Sequence, residues 1–157
     1  MEKTLESQPL VYEEDLSNND VIFEPNPGPQ TEFLASTEQE VLYGGSAGGG
    51  KSYSLVADPV RYLNNPNARM LIVRRSTEEL RELISVSKQL YPKAVPGIKF
   101  MERDKTWVAP SGATLWMSYL DRDDDVMRYQ GQAFNWIGFD ELTVAYSIPL
   151  ELHEVTT

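Results

Sequence analysis

An α/β fold, a mostly parallel sheet flanked by helices, is predicted for this 157-residue chain by three observations. Apolar runs of strand length alternate with segments of helical period. A glycine-rich loop lies between one such run and the helical segment after it. The last apolar run ends abruptly in two adjacent carboxylates.

Taken in order, residues 1–24 are acidic and polar with no sustained hydrophobic period, the pattern of a flexible arm or partner-binding segment. "PNPGPQ" at 25–30 is a Pro/Gly breaker expected to run extended. "TEFLASTEQ" predicts a short helix from about Thr31, followed by a strand at "VLYG" (41–44). After the glycines, Leu55, Val56, Val60 and Leu63 are spaced as on a helix, which Pro59 should kink or end. "RMLIVRR" (69–75) is a continuous apolar run, suited to a parallel strand covered on both faces.

Ser76 stands three residues before Glu79 in a capping-box spacing, and Leu80, Leu83, Ile84 and Leu90 continue as a helical stripe. Two strand-like runs then flank Pro110-Ser111-Gly112, predicting a hairpin. "DRDDDVMRYQGQ" reads as a charged short helix or loop, and "FNWIGFDE" as the final strand.

Composition narrows the function. The net charge of −10 is uneven: residues 1–40 hold ten acidic side chains and one Lys, whereas residues 41–157 hold fourteen acidic and thirteen basic. The body is nearly neutral, which argues against a general polyanion-binding surface. With no Cys and a single His, His153, neither a thiolate site nor a histidine cluster can form. No apolar run reaches bilayer length, and "MEKTLESQPL" lacks the basic and apolar regions of a signal peptide.

The glycines explain themselves through phosphate chemistry. Gly45-Ser46-Ala47-Gly48-Gly49-Gly50-Lys51-Ser52 fits the pattern Gly, four residues, Gly-Lys-Ser. Bare backbone lets N–H groups close around a phosphate, and the following helix adds its own unsatisfied N–H groups. Lys51 would reach the β- and γ-phosphates of ATP, and the Ser52 hydroxyl would ligate Mg²⁺. A linker with an incidental Lys-Ser is the plain alternative, which the flanking strand and helix patterns disfavour.

Such a loop needs an acid at the end of a neighbouring strand, and "WIGFDE" supplies two. Asp140 would hold the Mg²⁺ through water. Glu141 would orient the water attacking the γ-phosphate, and this second carboxylate argues for hydrolysis over nucleotide storage. Gln30, before the loop, offers an amide that matches adenine's donor and acceptor edge, or is an ordinary polar residue at a helix start. Phe33 either stacks on a base or staples its helix to the core. Arg74, Arg75 and Arg128 are candidates for charge on a phosphoryl transition state, although strand-end arginines commonly sit in ion pairs. "DDDV" (123–126) fits a helix start or solvated loop better than a metal site.

The ordered set "PQTEFLAS", "GGSAGGGKS", "VRRSTEELRE", "APSGATLWMSYL" and "RYQGQAFNWIGFDEL" resembles the ATPase domain of the large terminase subunit of tailed bacteriophages, over about residues 22–145. The resemblance implies a P-loop NTPase of the ASCE type with an inserted β-hairpin. It also implies an ATP- and Mg²⁺-dependent motor that packages double-stranded DNA into procapsids. Its partners would be the portal protein, a small terminase subunit and further copies in a homo-oligomeric ring. No membrane is involved, and the location would be the host cell cytoplasm, transiently the portal vertex.

Matched to that family, Gln30 falls at the adenine-contacting glutamine, Lys51 and Ser52 at the Walker A pair, Asp140 at the Walker B acid and Glu141 at the catalytic glutamate. Arg128 falls where some members are thought to place an arginine finger for the neighbouring subunit. On this reading 25–157 is a partial ATPase domain, because the chain ends sixteen residues past Glu141. Further ATPase strands and a nuclease domain are expected beyond it, so no nuclease activity is expected here. A helicase-like ATPase shares both Walker motifs. A nucleotide-binding assembly module without turnover shares the loop.

Overall fold

A computed structural model of the chain describes residues 21–38, 41–43, 50–120, 125, 128–129 and 131–140. Its elements are α1 (Pro29–Ala35), α2 (Lys51–Ala57), a 3₁₀ turn (Asp58–Tyr62), β1 (Arg69–Arg74), α3 (Thr77–Ala94), β2 (Lys99–Met101), β3 (Thr106–Val108), β4 (Thr114–Tyr119) and β5 (Trp136–Phe139). Among the described residues, five strands form one mixed sheet in the order β2-β3-β4-β1-β5. β1 is parallel to both β4 and β5, while β2, β3 and β4 form an antiparallel meander. No helix among the described residues is long and apolar enough to cross a membrane.

β1 shows why its sequence is apolar throughout. Met70 and Ile72 face one layer, with α2 and α3, while Leu71 and Val73 face a second layer containing Tyr129 and Phe134. A strand covered on both faces has no solvent side on which to alternate polar residues. α3 starts where the capping box places it: Ser76 Oγ accepts the Glu79 N–H at 3.3 Å. Its buried residues Leu80, Leu83, Ser87, Leu90 and Tyr91 form one stripe against the sheet. Tyr91 donates its hydroxyl to the Val56 carbonyl at 2.8 Å, which ties α3 to the last turn of α2. α2 itself ends before Pro59, and the chain continues as the 3₁₀ turn.

Three expectations are corrected. Residues 41–43 form no strand: Val41 is 45% and Leu42 83% exposed, and among the described residues the outer edge of β5 has no strand partner. A short extended segment without a hydrogen-bonding neighbour gains nothing from strand geometry. The sheet is mixed rather than mostly parallel, since two of its four pairings are antiparallel. The hairpin is not a separate insertion, because β4 lies centrally beside β1 and buries Leu115 and Met117 under α3.

The hairpin turn itself is as read, with Gly112 at φ 101° and its N–H donated to the Ala109 carbonyl at 3.0 Å. β2 is an additional strand, three residues with one half-buried, too short for a periodic signal. Packing of the body reaches back to Phe23, whose ring lies 4.7 Å from that of Tyr53, so the arm's last residues are not all solvent-facing.

Candidate functional site

The site begins at Gly50, which caps α2 in a left-handed conformation, φ 71°. Glycine adopts that backbone without strain, whereas a side chain rarely does. Space also demands it, since a Cβ at position 50 would sit 2.6 Å from Gln30 Nε2. The Gly50 carbonyl accepts three hydrogen bonds: from Ser54 N at 2.9 Å, Ser54 Oγ at 3.0 Å and Gln30 Nε2 at 3.1 Å.

Gln30 is therefore next to Gly50, but its amide is engaged internally. The residue is 3% exposed, and its Oε1 accepts the Asn26 N–H at 2.6 Å. Offering that amide to a purine edge would require breaking both contacts. Phe33 stacks on Tyr43 with ring centroids 5.3 Å apart, which joins α1 to the segment entering the loop.

Lys51 and Ser52 open α2. Ser52 donates its hydroxyl to Asp140 Oδ2 at 2.8 Å, across 88 residues of sequence. Two features bring them together. Asp140 directly follows β5 and donates its N–H to the Val73 carbonyl at 3.0 Å, which extends the β1–β5 ladder by one bond. Gly138, two residues earlier and on the same face, leaves room for α2: a Cβ there would meet Leu55 Cδ1 at 2.5 Å and Trp136 Cη2 at 2.4 Å.

Asp140 is 9% exposed and lies beside Arg74, the last residue of β1, with Oδ2 3.4 Å from Nε. A hydroxyl and a carboxylate are hard oxygen donors, the set Mg²⁺ takes from protein while keeping waters and phosphate oxygens for its other positions. These two residues fit that ion. Among the described residues no cluster of three or more His, Cys, Asp or Glu competes as a metal site.

Two arginine candidates do not touch Ser52 or Asp140 within this chain. Arg128 is exposed, pairs with Asp125 at 2.8 Å and lies over the Tyr119 ring at 5.8 Å, at the end of β4 and two strands from β5. Arg75 is exposed. Gly45, Ser46, Ala47, Gly48, Gly49, Glu141 and His153 lie outside the described residues, as do Asp123, Asp124 and Val126 of the acidic run. Comparison with protein-family models, curated proteins and solved structures finds no match for the chain.

Two contributors escaped the sequence reading. Gly138 had a legible signal, because an isolated glycine inside an apolar strand marks close backbone approach. Asp58 had none. It accepts the Trp136 indole N–H at 2.9 Å and pairs with Arg61, which also donates to the Leu34 carbonyl. The group thus fastens the end of α2 to both β5 and α1.

Burial raises the Asp58 carboxyl above its ordinary 3.8, with Arg61 and the Trp136 N–H offsetting only part of that cost. The folded state then holds the proton more tightly than the unfolded state does. The stability this contributes is present below pH 3.8 and is lost as pH rises through the folded value. The amide in Asp58→Asn does not titrate, so the variant should gain on wild type as pH climbs from 3.8 towards neutrality. Paired urea unfolding curves at pH 4 and pH 7 measure this. A gap that stays constant across the range would show that burial does not penalise the carboxylate.

Proposed function

We propose that this chain is an ATP-binding and ATP-hydrolysing P-loop domain of the ASCE type, the motor part of a large terminase subunit that packages double-stranded DNA. The observation supporting it most directly is the 2.8 Å contact between Ser52 and Asp140. Sequence reasoning assigns both to one Mg²⁺, from motifs 88 residues apart, and nothing local in the chain requires them to meet. The order β4-β1-β5 with all three parallel is compatible with such a domain. The motor and DNA-packaging parts of the proposal rest on the resemblance.

In this reading Lys51 neutralises charge on the β- and γ-phosphates as a mobile ammonium. The Gly50 carbonyl, tied three ways, fixes the backbone from which Lys51 and Ser52 project. Ser52 and, through water, Asp140 would hold Mg²⁺, which when bound would supply charge neutralisation at the phosphate oxygens. Glu141 orients a water for in-line attack on the γ-phosphate, with the ADP oxygen leaving opposite. Catalysis is then chiefly a matter of preorganised charge.

The test is Mg²⁺-dependent ATP binding and hydrolysis by the full chain. Wild type should turn over, and Lys51→Ala should lose about a hundredfold or more of that rate. Binding and turnover that both survive Lys51→Ala would overturn the assignment.

A further inference from the structure

Arg74 is the most heavily partnered side chain near the site. It is 7% exposed, and three carboxylates converge on its guanidinium. Asp140 Oδ2 lies 3.4 Å and Glu79 Oε2 3.8 Å from Nε, and Glu82 Oε2 lies 3.7 Å from Nη1. Nη1 also donates to the Glu79 main-chain carbonyl at 3.1 Å. Asp140 alone would neutralise one buried cation. The two glutamates, both from the start of α3, are surplus to that need.

The oxygen involved is the telling detail. Asp140 Oδ2 is the atom that accepts the Ser52 hydroxyl and the atom that faces Arg74. A divalent cation held by Ser52 and Asp140 would draw on the same carboxylate as the guanidinium and would repel the guanidinium. Glu79 and Glu82 offer the displaced charge a place to go: Glu79 Oε2 is buried without a hydrogen-bond partner 3.8 Å from Nε, and the 79% exposed Glu82 side chain has freedom to close in.

We infer that Arg74 is a positioning residue coupling the α3 carboxylates Glu79 and Glu82 to Asp140. It holds Asp140 against Ser52, and it would lean to the two glutamates when a cation is held at Ser52 and Asp140. This rests on the ATPase reading, and it adds to that reading a mechanical link from site occupancy to α3. The planar guanidinium suits the task, because it presents several donors in one rigid fork and can change partners without leaving its place.

The test is a double-mutant cycle on the full chain, read as Mn²⁺ affinity in the presence of ADP by the spin-resonance signal of free Mn²⁺. Glu79→Gln with Glu82→Gln should weaken Mn²⁺ about fivefold or more, because the displaced guanidinium loses its alternative partners. In an Arg74→Gln background the same two changes should alter affinity by less than about twofold. Should Arg74→Gln not fold, Arg74→Lys takes its place in the cycle, keeping the buried charge without the fork. Additive effects would overturn the inference, since the glutamates would then act on the cation directly. Failure of wild type to bind Mn²⁺ with ADP would overturn the ATPase reading as well, whereas binding with no response to the glutamates overturns only the coupling.

Discussion

Gly138→Val is expected to lower the melting temperature sharply and to weaken Mg²⁺-dependent nucleotide binding at temperatures where the variant is still folded. The added Cβ alone would lie 2.5 Å from Leu55 Cδ1 and 2.4 Å from Trp136 Cη2, both well inside contact distance. Neither neighbour yields easily. Leu55, on the buried face of α2, is part of the core, and the Trp136 indole is held by Asp58 at 2.9 Å. Overpacking of this kind typically costs about 1–3 kcal/mol, and a chain of this size loses roughly 2–4 °C per kcal/mol.

The easiest relief is for α2 to slide off β5, and that movement carries Ser52 with it. Leu55 is one helical turn beyond Ser52, so a shift large enough to admit the valine is large compared with the tolerance of a 2.8 Å hydrogen bond. Thermal unfolding and nucleotide binding by the same variant measure the two effects. A variant with wild-type melting and wild-type binding would mean that α2 does not rest on β5 as described.

What the sequence disclosed, and what it hid, divides along the range of the interactions. β1 and α3 were legible because their signals are local: an unbroken apolar run, a Ser76–Glu79 cap and a stripe at helical spacing. The turn at Gly112 was legible because its backbone needs a residue without a Cβ. The 41–43 segment misled for the opposite reason. Its residues have strand character, but a strand exists only by hydrogen bonding to a neighbour, and that neighbour is not written in the segment itself.

The candidate site follows the same division. Ser52 and Asp140 were each found from motif chemistry, and their meeting was inferred from how phosphate sites work. Arg74 could be named as one of three arginines but not chosen, because what distinguishes it is convergence of Glu79, Glu82 and Asp140 from two elements. Gln30 shows the limit most clearly. Its nearness to the loop was legible, yet its bonds to Asn26 and Gly50 depend on how α1 lies against α2.

Asp140→Asn should separate chemistry from stability. The amide is nearly the same size, and its oxygen can still accept the Ser52 hydroxyl. Arg74 loses one of its carboxylates but keeps Glu79 and Glu82 within 4 Å. A buried carboxylate also carries a desolvation cost that the amide does not, so the lost ion pair and the relieved burial oppose each other. Because Arg74 keeps two other carboxylates, the loss in stability should fall below the roughly 3–5 kcal/mol typical of a buried cation left unpaired.

Hydrolysis has no such compensation, because a neutral amide cannot hold Mg²⁺ or balance charge as a carboxylate does. Turnover should fall by about 10²–10³-fold. Measuring melting temperature and Mg²⁺-dependent kcat/KM on the same preparation distinguishes the outcomes. Loss of rate with the fold intact gives Asp140 a chemical role at the cation. Parallel loss of both would make it a structural tie between β1, β5 and α2. Unchanged turnover would mean that the carboxylate beside Ser52 is not where the nucleotide's metal is held, and the ATPase reading would then lack its strongest support.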